Sequence, residues 1–119
     1  MIRVKNKFKE LKQKKQKAFG VFLTAGYPSL EYSKDIFKKI LDAEADFIEI
    51  GLPFSDPMAD GPLIQHSSQI AIEQNTSVEE CFNLVKEIRK INNDIPIILM
   101  GYYNPIHYYG NLKFINPKI

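Results

Sequence analysis

The chain has 119 residues, 45% hydrophobic and 25% charged, with a net charge of +2 and a single cysteine. That suffices for one small core, and no second domain is required. No apolar run approaches the ~20 residues of a membrane helix. One thiol forms no internal disulfide, so the oxidised frameworks of small secreted domains are not indicated and a cytoplasmic location is expected.

The charge is uneven. Residues 1–17 carry eight Lys and Arg against one acid, Glu10, whereas the remainder carries eight basic and thirteen acidic residues. The leader lacks the aromatic or Arg-rich interleaving of a nucleic-acid arm, the Arg and Ser of a transit peptide and the apolar stretch of a secretory signal. Val4, Phe8 and Leu11 recur at i, i+4 and i+7, which predicts a short surface helix with these residues inward and its lysines in water.

Ala18 to Thr24 is a compact apolar run ending at the breaker Ala25-Gly26-Tyr27-Pro28. Ser29 then caps a helix in which Leu30, Phe37, Ile40 and Leu41 recur at helical spacing. Asp46 to Ile50 is a second strand, stopped by Gly51. The loop from Leu52 to Pro62 leads into a shorter helix, Leu63 to Glu73. Ser77-Val78-Glu79-Glu80 is a capping box. It opens a helix whose apolar line is Cys81, Leu84, Val85, Ile88 and Ile91, so Cys81 reads as packing rather than nucleophile. Pro96 introduces a third strand, Ile97 to Met100, ended by Gly101. In the tail a further helix starts around Asn111–Ile115 and breaks at Asn116-Pro117.

Apolar strands separated by amphipathic helices predict βαβ units, a parallel sheet covered by helices with every strand C-terminus on one edge. Parallel α/β folds bind ligands at that edge. Three acids, Glu49, Asp56 and Asp60, lie within twelve residues there, on a loop stiffened by Pro53 and Pro57. An acid at the buried end of a strand is costly unless something pairs with it or uses it. Glu49 and Asp60 are therefore candidate catalytic groups, and Asp56 is read as a turn or interface residue. His66 and His107 lack paired ligand spacing, so no metal site is expected. No dinucleotide, P-loop or nucleophile-elbow motif is present. Three parallel strands leave open edges, and a closed (β/α)8 barrel takes about 250 residues. The chain is expected to be the front part of something larger.

Three blocks carry a family resemblance: Phe22 to Pro28 (FLTAGYP), Ile48 to Pro62 (IEIGLPFSDPMADGP) and Met100 to Pro105 (MGYYNP). In order and register, up to about Lys113, the chain resembles the tryptophan synthase alpha subunit. The resemblance implies that residues 1–119 are the N-terminal, incomplete portion of a single (β/α)8 TIM-barrel domain, with about three parallel strands. It implies a lyase that cleaves indole-3-glycerol phosphate by a retro-aldol step into indole and glyceraldehyde 3-phosphate, in tryptophan biosynthesis. Glu49 would be the general acid/base, and Asp60 would hold the indole N–H and stabilise positive charge on the ring. Phe22, Ile64, Met100 and Tyr102 match the walls of the indole pocket. Pro53, Asp56, Pro57, Asn104 and Pro105 match the surface that meets the beta subunit in a tetramer of two alpha and two beta chains. The alpha reaction needs no cofactor, since pyridoxal phosphate belongs to beta. Tyr27 stands where many members carry Asp. Barrels of this type hold phosphate after strands seven and eight, so the 119 residues alone are expected to be inactive. The alternative is a decayed, non-catalytic remnant that at most contacts beta.

Overall fold

The structure is a computed structural model that describes residues 2–116. In chain order its elements are α1 (Ile2–Lys14), β1 (Gly20–Thr24), α2 (Leu30–Asp42), β2 (Phe47–Gly51), α3 (Pro62–Glu73), α4 (Val78–Ile91), β3 (Ile97–Met100), α5 (Tyr103–Tyr109) and α6 (Asn111–Ile115). The strands form one sheet in the order β1-β2-β3, and both pairings are parallel. The expected βαβ organisation is present, with all strand C-termini on one edge.

Register explains which side chains do what. Phe22, Glu49 and Ile98 are aligned across the three strands, as are Leu23, Ile50 and Leu99 one residue on. Successive residues of a strand point to opposite faces. Ile48 and Ile50 therefore turn to the helix-covered face, where both are fully buried with Phe37 of α2 and Cys81, Leu84, Val85 and Ile88 of α4. Burying each isoleucine contributes about 1.5–3 kcal/mol. Glu49 points to the other face, which it shares with Phe22, Phe47 and Ile98. Burial pushes the Cys81 thiol pKa up to about 12, which keeps it protonated and unreactive as a nucleophile.

Local chemistry sets the helix ends. The Ser29 hydroxyl accepts from the Tyr32 N–H at 3.3 Å, and that of Ser77 from the Glu80 N–H at 3.3 Å, as the cap residues predicted. Gly26 ends the β1 turn at φ +81, and a Cβ there would lie 1.9 Å from Thr76 Oγ1, so both backbone and space demand glycine. β2 begins one residue later than the sequence suggested and includes Gly51, because Leu52 N–H still donates to Met100 C=O at 2.8 Å and prolongs the ladder.

Two elements differ from expectation. α1 buries Leu11, yet Phe8 remains half exposed, with its ring 6.2 Å from that of Phe47. The helix lies across the N-terminal ends of the strands: Arg3 Nε donates to Asn93 C=O at 2.6 Å, and Lys7 pairs with Asp46 at 3.6 Å. α5 was not among the elements the sequence patterns predicted. Pro105 occupies the first turn, where no intrahelical acceptor awaits its missing N–H, so it is compatible with helix.

One clip joins α4 to α5 and α6. The Glu79 carboxylate accepts from Tyr109 Oη at 2.6 Å and from Lys113 Nζ at 3.2 Å, while Lys113 Nζ sits 4.0 Å above the Tyr109 ring. The Tyr109 hydrogen bond first, then that of Lys113, holds the Glu79 carboxyl below the usual Glu range. A depressed carboxyl pKa adds stability above its unfolded value, and that stability is lost as pH falls through the folded value. Glu79→Gln is expected to lower the melting temperature by a few degrees at pH 7. The difference from the parent should shrink as pH falls below the ordinary Glu range, in thermal melts followed by circular dichroism.

Candidate active site

The C-terminal edge of the sheet opens into a cleft of about 220 Å³. Its floor is Phe22, Thr24, Gly51 and Met100 from the strands, and its sides are Leu52, Asp60, Ile64, Ser68 and Tyr102. Phe22, Ile64, Met100 and Tyr102, the four residues expected as pocket walls, all line it together with Asp60. Glu49 is not among the lining residues. It is half-buried, level with the floor residue Phe22 and with Ile98, and on the same face. Gly51 lets the Phe22 ring lie close against β2: a Cβ there would sit 2.6 Å from Phe22 Cζ.

Tyr102 organises the rim. Its hydroxyl donates to Asp60 Oδ2 at 2.9 Å and accepts from the Ala59 N–H at 2.8 Å, while its ring packs on Phe54 at 5.2 Å between centroids. Residue 102, just past β3, thus grips both arms of the loop after β2. The loop is further closed by Asp60 N–H to Pro57 C=O at 3.0 Å and by Gln65 Nε2 to Asp60 C=O at 2.8 Å. Partial desolvation first, and the hydrogen bond to Asp60 after it, raise the Tyr102 pKa above the ordinary phenol value, against the opposing pull of Ala59 N–H. At neutral pH the hydroxyl is a donor, and a carboxylate acceptor makes the bond a charge-assisted one.

α3 supplies the far wall. Ser67 Oγ donates to Ile64 C=O at 3.0 Å and lies 2.7 Å from Thr24 Oγ1, so the threonine is the donor of that buried bond. This pair fastens α3 over the end of β1. Ser68 was missed from sequence, although its i, i+4 relation to Ile64 puts both on one helix face. The bonding role of the Tyr102 hydroxyl was missed as well, because sequence presented the residue only as an aromatic wall.

The proposed interface residues flank this cleft. Pro53 and Pro57 are half-buried in the loop, and Asp56 is exposed and accepts from Ser55 Oγ at 2.5 Å. Asn104 is exposed and Pro105 half-buried in the first turn of α5. His66 sits edge-on to Tyr27, and His107 lies against Tyr103.

Parallel strands ending at an acid-bearing apolar cleft are the opening units of a (β/α)8 barrel, with the cleft at the barrel mouth. Residues 8–118 match the family model of the tryptophan synthase alpha chain, and the chain belongs to that family. It is 47% identical over 116 residues to the tryptophan synthase alpha chain of Pelobacter propionicus, covering 98% of this chain and 43% of that one. The corresponding protein of Aquifex aeolicus is 46% identical over 114 residues, with 96% and 44% covered. Among solved structures, tryptophan synthase subunit alpha from Legionella pneumophila superposes with a TM-score of 0.91 at 37% identity, covering 94% of this chain and 43% of that one. The chain thus spans less than half the length of the relatives it matches.

Removing the Tyr102 hydroxyl tests the clasp. Tyr102→Phe keeps the contact with Phe54 and frees the Ala59 N–H, which should exchange with deuterium roughly three- to tenfold faster, the worth of one net hydrogen bond. Unchanged protection at Ala59 would show that the loop holds itself.

Proposed function

We propose that this chain provides the catalytic half-site of the alpha reaction, the retro-aldol cleavage of indole-3-glycerol phosphate to indole and glyceraldehyde 3-phosphate. The observation that carries the reading is the pairing of a clasped rim carboxylate, Asp60, with a half-buried strand carboxylate, Glu49, on the same face of the sheet as an apolar cleft.

In this proposal the indole ring lies between Phe22, Ile64 and Met100, with its N–H donating to Asp60. Glu49 delivers a proton to the ring carbon bonded to the glycerol chain and takes the proton of the adjacent side-chain hydroxyl. The carbon–carbon bond then breaks, the hydroxyl carbon becomes the aldehyde, and no net proton is consumed. Asp60 offsets the positive charge that develops on the ring as that carbon is protonated. Two carboxylates in different surroundings suit these two tasks. The proposal places the reaction in the cytoplasm and the loop 53–57 with Asn104 and Pro105 against a beta chain. The described residues contain no helix long and apolar enough to cross a membrane.

Position along the barrel sets a limit. A phosphate site after the seventh and eighth strands positions the reacting bond in such barrels, and the described residues form three strands. We therefore expect the chain by itself to release no indole above background. Fused ahead of the matching remainder of the Aquifex aeolicus relative, it should release indole, and Glu49→Gln or Asp60→Asn in that chimera should lower kcat by roughly 10²- to 10⁴-fold. A folded chimera whose turnover survives both substitutions would refute the assignment. A folded but inert chimera would support the remnant reading.

A further inference from the structure

We propose that Ser68 is a specificity-determining residue of the cleft. Its hydroxyl binds a hydroxyl group at C5 of a bound indole, so that the site takes 5-hydroxylated indoles in preference to indole itself. The inference rests on the reading given above, in which Asp60 holds the ring N–H. Ser68 lines the cleft and is only 4% exposed. Its neighbour Ser67 donates to Ile64 C=O and accepts from Thr24, but among the described residues the Ser68 hydroxyl has no partner. Its oxygen is not sealed inside the protein either, since the enclosed side-chain oxygen without a partner is Thr76 Oγ1. A nearly buried hydroxyl that is unbonded within the chain and faces a cavity is left to bind what fills that cavity.

α3 sets where that hydroxyl stands. Gly61, beside Asp60, caps the helix, and Ser68 follows seven residues on, about 10 Å along the axis at 1.5 Å each. Ile64 fills the turn between them, and Phe22 and Met100 complete an apolar middle. The cleft therefore has a carboxylate at one end, a hydroxyl at the other and apolar walls between. In indole, C5 lies across the bicycle from the N–H. With the N–H on Asp60, a group on C5 is carried toward Ser68, whereas a group on C7 stays beside the nitrogen. A hydrogen bond at each end of a 5-substituted ring then spans this stretch of helix.

Thr24 selects the kind of group. Its hydroxyl also belongs to the cleft, and because it donates to Ser67 it offers a ligand lone pairs only. Ser68 has a proton to give. A ligand hydroxyl accepts one bond and donates another, so it satisfies both side chains. An ammonium group could only donate, and a methyl group would leave Ser68 unpaired.

The test is a ¹H–¹⁵N NMR titration of the 119-residue chain with indole, 5-hydroxyindole and 7-hydroxyindole, read at the amides of Gly51, Asp60 and Gly101. 5-Hydroxyindole should bind roughly two- to tenfold more tightly than indole, the worth of one net hydrogen bond, and 7-hydroxyindole should show no such gain. Ser68→Ala, which keeps a good helix former in place, should abolish the preference for the 5-isomer. The contrast between the two isomers in the unaltered chain decides the matter without the variant. Binding of indole with no gain for 5-hydroxyindole, an equal gain for 7-hydroxyindole, or a preference that survives Ser68→Ala would each overturn this inference and leave the Asp60 reading standing. Amides that none of the three compounds moves would overturn both.

Discussion

The register of β2 is the constraint on which the rest of the molecule depends. It is bonded on both sides, with Glu49 opposite Phe22 on one neighbour and Ile98 on the other. Its two isoleucines are completely buried beneath α2 and α4. A slip of one residue would carry Ile48 and Ile50 away from α2 and α4 to the opposite face and drive Glu49 under those helices, where an unpaired carboxylate is prohibitive. The same alternation that assembles the core therefore aims the candidate acid. Fold stability and chemistry are coupled through five residues.

Asp60 is held by different means. It sits on an irregular loop that packs little apolar area, so its position comes from directed bonds rather than burial. Tyr102 reaches it from the strand two places along the sheet from β1, and Gln65 reaches it from the first turns of α3. One carboxylate is thus set by a ladder and the other by a clasp. A site divided in this way can adjust its rim while its floor stays fixed, which suits a mouth that admits a ligand.

Much of this was legible in the residues. The three strands, the capped helices and the cluster of acids at one edge follow from apolar runs, Ser caps and Gly/Pro breaks, all of them local signals. The four pocket-wall residues were named from the family resemblance, and all four line the cleft. Two features escaped. α5 was hidden because it is a seven-residue helix with no buried side chain, so it carries no apolar line for periodicity to detect. Ser68 was hidden among polar residues of α3 until the neighbouring wall at Ile64 gave that face a meaning.

β1 and β3 each pair on one side, so among the described residues both flanks of the sheet present unsatisfied main-chain amides and carbonyls. Lysines on α1 do nothing to shield them, because those charges stand at the strand beginnings and the flanks run the full strand length. Such flanks recruit any extended segment of suitable length, whether from a relative's remaining strands or from an unrelated polypeptide. Among the described residues, those two rims are therefore where a further strand would pair.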